Sequence, residues 1–250
     1  MPSARSFLLR GLLAGLIAGF AAFGVAYVAG EPALSAAITV EEDAAGHSHD
    51  GEETLVPRSL QSTLGLLTGT ALAGTTLGGL AGVVSALALG RFGSLSVRGT
   101  CVAVAAVGLV SLTLVPFAVY PPNPPAVGSA DTIGLRSALY VILVAISVIA
   151  AVTAVLVGRR LSLRWGAWAA GLAAVGGYLA TVVVVSLLLP RYAEVPAGFP
   201  AAVLYDFRLA SLLTQVTLWA VLGVVLAELV HRRTRAVPAS PRPYAAPVAR

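Results

Sequence analysis

Apolar residues run almost unbroken through six stretches of the chain, roughly 7–28, 63–89, 100–119, 137–157, 166–189 and 207–230. Each is long enough to cross a hydrocarbon layer of about 30 Å at about 1.5 Å per residue. The pattern predicts an all-α, polytopic transmembrane helix bundle of six spans. The spans pair into three hairpins that open toward the outside. On the inside the connections are short, near 90–99 and 158–165, whereas the outer segments are longer and carry most of the polar chemistry. Residues 1–231 form the transmembrane domain, and 29–62 form an acidic outer loop within it. Residues 232–250, rich in Pro, Ala and Arg, read as a disordered cytoplasmic tail.

Charge orients this pattern. All 16 basic residues are arginines. With a cytoplasmic N-terminus, Arg5, Arg10, Arg91, Arg98, Arg159, Arg160, Arg164, Arg232, Arg233, Arg235, Arg242 and Arg250 fall inside. Only Arg58, Arg136, Arg191 and Arg208 fall outside, a clear positive-inside bias that places both termini in the cytoplasm of a plasma-membrane protein. Every acid except Glu228 lands on the outer side, and Glu228 is within one helical turn of Arg232. The apolar content of 58% and mean hydropathy of +0.90 exceed what a soluble domain carries. The basic pI therefore reports topology and attraction to anionic lipid, and nucleic-acid binding is excluded. Cys101 is the single cysteine, so neither an internal disulfide nor a thiolate metal cluster is available. Without lysine there is no phosphate-binding loop for ATP.

Small residues predict how the bundle packs. Gly11, Gly15 and Gly19 in the first span, and Gly74, Gly78 and Gly82 in the second, recur every four residues. Such faces let helix backbones approach closely in lipid. The first glycine row also favours an uncleaved helix over a signal peptide, as does an apolar length beyond the usual signal core. Tyr27, Tyr120, Tyr140 and Tyr192 mark the outer interface, with Trp165 and Trp168 at the inner one. A weak echo opens each returning helix: Arg58-Ser59, Arg136-Ser137, and Arg208 with Ser211. It fits either a threefold hairpin repeat or simple polar helix starts.

Candidate chemistry lies outside. His47 and His49, two residues apart on a glycine-punctuated segment with Glu42 and Asp50 nearby, are candidate ligands for a divalent ion such as Zn, Ni, Co or Fe. A solvated acidic loop is the alternative. Asn123, Pro124, Pro125 and Gly128 belong to a stiff proline-rich second loop, and Asp131 with Arg136, and Asp206 with Arg208, are candidate ion pairs at the mouth. Between the interfaces the spans hold no Asp, His, Lys or Arg, so any path relies on hydroxyls such as Thr113 and Thr214, on Gln215 and on carbonyls. That is a poor cage for a bare dication. Either a partner supplies ligands or the substrate is not a bare ion.

Gly30-Glu31-Pro32, the His47-x-His49 loop, Arg58 to Gln61, the Tyr120-Pro-Pro-Asn-Pro-Pro-Ala-Val-Gly128 block with Thr132 and Arg136, and Phe199-Pro200 to Arg208 with Trp219 together resemble the CbtA family. Its members are predicted cobalt transporter subunits. The resemblance implies a link to cobalamin synthesis and a small one-span, histidine-bearing partner, CbtB. It also implies that His47 and His49 capture the ion while Asn123, Pro124, Pro125, Gly128 and Arg136 shape the mouth. The expectation is a non-enzymatic uptake subunit for a divalent transition metal, cobalt above all, with no permanently bound cofactor and with homo-oligomerisation open. A non-transporting scaffold or sensor of a cobalt or cobalamin complex is the rival.

Overall fold

The computed structural model describes residues 3–44, 57–91, 95–192 and 194–235. Among them all regular secondary structure is helical, with no strand. Five helices are long and apolar enough to cross a membrane: α1 (Ala4–Ala44), α2 (Arg58–Ala88), α3 (Val97–Val119), α4 (Ala130–Leu188) and α5 (Ala201–Arg235).

Five helices stand where six apolar stretches were expected, because the fourth and fifth stretches share α4. The segment 158–165, expected to be a connection, is helical. The reversal is concentrated at Gly166, with φ 77° and ψ 163°, a conformation almost closed to any residue with a Cβ. The two arms, 133–165 and 167–188, lie back along one another. The Ser147 and Tyr178 hydroxyls share a buried hydrogen bond of 2.8 Å, and a Cβ on Gly158 would sit 2.9 Å from that of Ala174.

The first helix also runs further than the apolar pattern suggests, so that residues 29–44 of the expected loop are helical. Glu31-Pro32 should interrupt a helix, since proline lacks an N–H and its ring collides with the carbonyl four residues back. The interruption is avoided by a π-helical turn at Ala26–Gly30, where the Glu31 N–H bonds to the Ala26 carbonyl five residues back. The same device recurs in α3. There Leu109–Leu114 is π-helical and the Val115 N–H bonds to Val110 O, one residue before Pro116. Widening the turn by one residue re-registers the backbone ahead of each ring. A third π turn, Gln61–Gly65 in α2, has no proline after it.

The glycine rows of α1 and α2 face each other. A Cβ on Gly15 would lie 2.8 Å from the Cα of Gly78, and one on Gly78 would lie 2.5 Å from the Cα of Gly15. Neither helix has room for a single added carbon. Against this pair α5 lays Leu218, Trp219, Leu222, Leu226 and Val230, and α3 contributes Cys101, Val104 and Ala105. Phe7, Leu222, Leu226 and Val230 are almost completely enclosed. The α4 hairpin joins this body through the second half of α3, where Val115 packs with Leu143, Ala151 and Tyr178. At one end of the bundle Glu228 binds Arg232 at 2.8 Å, as their spacing suggests, and also Arg98 of α3 at 2.5 Å.

Replacing Gly15 by Ala should lower thermal stability in detergent by about 1–3 kcal/mol, the range for overpacking a tight core. Gly24→Ala, where a Cβ meets nothing within 4 Å, should leave the melting temperature unchanged. Equal effects of the two substitutions would disprove the backbone contact.

Candidate functional site

At the end opposite Glu228, the helices part around a cavity of about 1080 Å³. The two proline-associated π turns contribute directly to its wall, through Ala26 and Gly30 of α1 and through Leu112 and Thr113 of α3. The block 120–125 and the segment after α4 cover its rim, and one face of α5 descends its side through Arg208, Ser211, Thr214 and Gln215. Below, Thr113 Oγ1 accepts a hydrogen bond of 3.1 Å from the indole N–H of Trp219. Trp219 and the enclosed leucines beneath it form a dry floor.

Local sequence explains the rim. In Pro124-Pro125-Ala126-Val127 the Val127 N–H bonds to Pro124 O at 3.2 Å, and Ala126 takes a left-handed φ of 64°. This is the arrangement of a type II turn, with proline supplying the first central residue. Gly128 follows with φ 118°. A Cβ there would be 2.6 Å from Arg136 Nη2, so glycine is what lets the guanidinium lie against the loop. The Tyr120 hydroxyl then donates to Pro190 O at 2.8 Å, tying the exit of α3 to the exit of α4.

Each arginine of the sequence echo, Arg58, Arg136 and Arg208, is anchored to a different segment. Arg58 pairs with Glu31 of α1. Arg136 pairs with Glu194 at 2.9 Å. Arg208 donates to Asn123 Oδ1 at 3.0 Å and to Pro122 O at 3.4 Å. The ion pairs suggested by nearness in sequence are thus replaced: Arg136 takes Glu194 instead of Asp131, and Arg208 takes a side-chain amide and a carbonyl instead of Asp206. Asp131 lies in a 3₁₀ turn at Ala130–Thr132, and both it and Asp206 are exposed. The reason is geometric. Asp206 precedes Arg208 by two residues on α5, and such neighbours point to different helix faces.

Among the candidates, Asn123, Pro124, Pro125, Arg136 and Arg208 line one cavity, and Gly128 supports Arg136 from behind. Glu42 is exposed near the end of α1. His47, His49 and Asp50 lie outside the described residues, and among the described residues no group of three His, Cys, Asp or Glu side chains could hold a metal ion. Tyr120, Tyr140 and Tyr192, expected as an interfacial belt, all line the cavity. Glu31 and Glu194 are the site residues that sequence reasoning did not single out as anchors. Glu31 stands in the Gly30-Glu31-Pro32 run, whereas nothing around Glu194 marks its distant partners.

Glu194 is the most heavily anchored carboxylate at the rim. It accepts from the Thr132 hydroxyl at 2.7 Å and the Ser129 N–H at 2.9 Å, beside Arg136. These donors, Thr132 foremost, hold its pKa below the ordinary 4.5. A depressed carboxylate pKa contributes stability that is fully present above the unfolded value and is lost as pH falls through the folded one. Melting curves should therefore show wild type more stable than Glu194→Gln by a constant margin above about pH 5, the upper edge for a carboxylate of ordinary pKa. Below that the margin should shrink. A margin that grows on acidification would refute the anchor.

Neither a curated protein nor a solved structure matches the chain. A family model described as "Probable cobalt transporter subunit (CbtA)" matches residues 4–231. With nearly all of the described helices inside that match, the chain is a multi-pass membrane protein belonging to the CbtA family of cobalt transporter subunits.

Proposed function

We propose that this chain is the membrane subunit of a cobalt uptake transporter of the plasma membrane, serving cobalamin synthesis together with a small one-span, histidine-bearing partner. In this reading the helices make six crossings in three hairpins, the two arms of α4 each counting as one, with both termini cytoplasmic. The loop bearing His47, His49 and Asp50, with Glu42 at its approach, captures the divalent metal outside, ahead of the cavity. Asn123, Pro124, Pro125, Gly128 and Arg136 shape the entrance.

The cavity carries this reading. It is wide at the end where the acids gather and is closed beneath by Trp219 and fully enclosed leucines. At the far end Arg98, Glu228 and Arg232 clasp α3 to α5. A chamber open on one side and sealed on the other suits one state of an alternating-access cycle, in which a gated bundle exposes its site to one side at a time. The absence of acidic, histidine or lysine side chains from the middle of the helices fits a subunit that relies on a partner for ligands.

Cells producing this chain with its partner should accumulate more cobalt than cells with neither, and changing both His47 and His49 to Ala should reduce that gain. Unchanged accumulation in the double variant would remove the loop from the mechanism. Purified protein and partner in liposomes separate the rival scaffold reading, since a scaffold would give no cobalt influx.

A further inference from the structure

We propose that the cargo this cavity accepts is an anionic carboxylate chelate of the metal that retains coordinated water, and not the bare dication. The proposal rests on the transporter reading above and specifies the form of its substrate.

Charge gives the first argument. Among the described residues, the side chains lining the cavity that carry formal charge at neutral pH are Glu31, Glu194, Arg136 and Arg208. Both carboxylates are already committed to guanidinium groups, Glu31 to Arg58 and Glu194 to Arg136. Among the described residues a bare dication would find no uncommitted carboxylate on this wall and would meet an additional positive charge. Arg208 is that charge, because the groups it binds, the Pro122 carbonyl and the Asn123 side-chain amide, are both neutral. A guanidinium has five N–H donors in a planar fork suited to carboxylate. Arg208 uses its Nε and one Nη2 donor on the loop, leaving the remaining donors for an anion in the cavity.

The surface below Arg208 gives the second argument. Ser211 and Thr214 donate their hydroxyl protons to Phe207 O and Ala210 O, each at 2.8 Å. Their oxygens are thereby left to face the cavity as acceptors, and metal-bound water is a strong donor. Arg208, Ser211 and Gln215 share one helix face at i, i+3 and i+7, so anion recognition at the top passes to acceptors and an amide below. The volume of 1080 Å³ accommodates such a complex with ease, given that one water occupies about 30 Å³ of liquid.

The probes are cobalt(II) citrate, cobalt(II) chloride and citrate alone, titrated into the purified full-length chain in nanodiscs and followed by calorimetry. The expected ranking has cobalt citrate binding at least about tenfold more tightly than either component. Arg208→Gln should abolish that preference, while Thr214→Val should weaken cobalt citrate and leave citrate alone unchanged. Cobalt chloride binding as tightly as the chelate would overturn the proposal in favour of the bare ion, and citrate binding as tightly would reduce the site to an anion site. Should Arg208→Gln fail to fold, the wild-type ranking and Thr214→Val still decide. Because binding is read without transport, lack of cobalt uptake in cells would overturn the transporter reading and leave this ranking standing.

Discussion

Backbone hydrogen bonding in hydrocarbon is the constraint on which this structure depends. With no water to satisfy an exposed N–H or C=O, a lipid-spanning chain must keep its helices continuous, and prolines at positions 32 and 116 threaten that continuity. Both are accommodated by a π turn in which the residue before the proline donates to the carbonyl five residues back. These turns displace the helix wall at two places, and residues from both line the cavity. The shape of the candidate site is therefore a consequence of repairing the backbone ahead of two prolines.

A second layer of order comes from arginines acting at a distance. Arg58, Arg136 and Arg208 each lie in the first turns of a helix and each reaches an acceptor on another segment, so that the rim is laced together from segments far apart in sequence. The bonds from Ser129 and Thr132 to Glu194 bring the start of α4 and the segment beyond its end into one network. The opposite end is closed by a smaller clasp centred on Glu228, above enclosed aliphatic side chains. One end is polar and spacious, the other dry and tight. An asymmetry of this kind is what a gated passage requires.

Much of the fold was legible because lipid leaves few options. The apolar stretches coincide with helices, and the two glycine rows in the first and second stretches meet as their spacing implies. The extents were harder to read. Glu31-Pro32 marks a helix end in most contexts, and only the π turn before it carries α1 on to Ala44. Gly158 to Trp165, with its arginines, resembles a loop, yet arginine and leucine are good helix formers and only Gly166 adopts a non-helical conformation. At the site, the proline block, Arg136 and Arg208 were found from sequence, but their partners were not. The Arg136–Glu194 pair spans both arms of α4, and no local pattern encodes which distant carboxylate will arrive beside a given guanidinium. The histidine-bearing loop lies outside the described residues, so its assigned role rests on sequence chemistry.

In the proposed transporter the cavity faces outward and its α5 wall is wetted from the exterior. In a Cys101→Ala background, Ser211→Cys and Leu226→Cys, placed on the wall and in the floor, can be exposed to a membrane-impermeant maleimide applied to intact cells. Modification of the Ser211 variant from outside, with the Leu226 variant protected, is the predicted result. Modification of the Ser211 variant only when the cytoplasmic face is exposed would contradict the orientation and the direction of entry together.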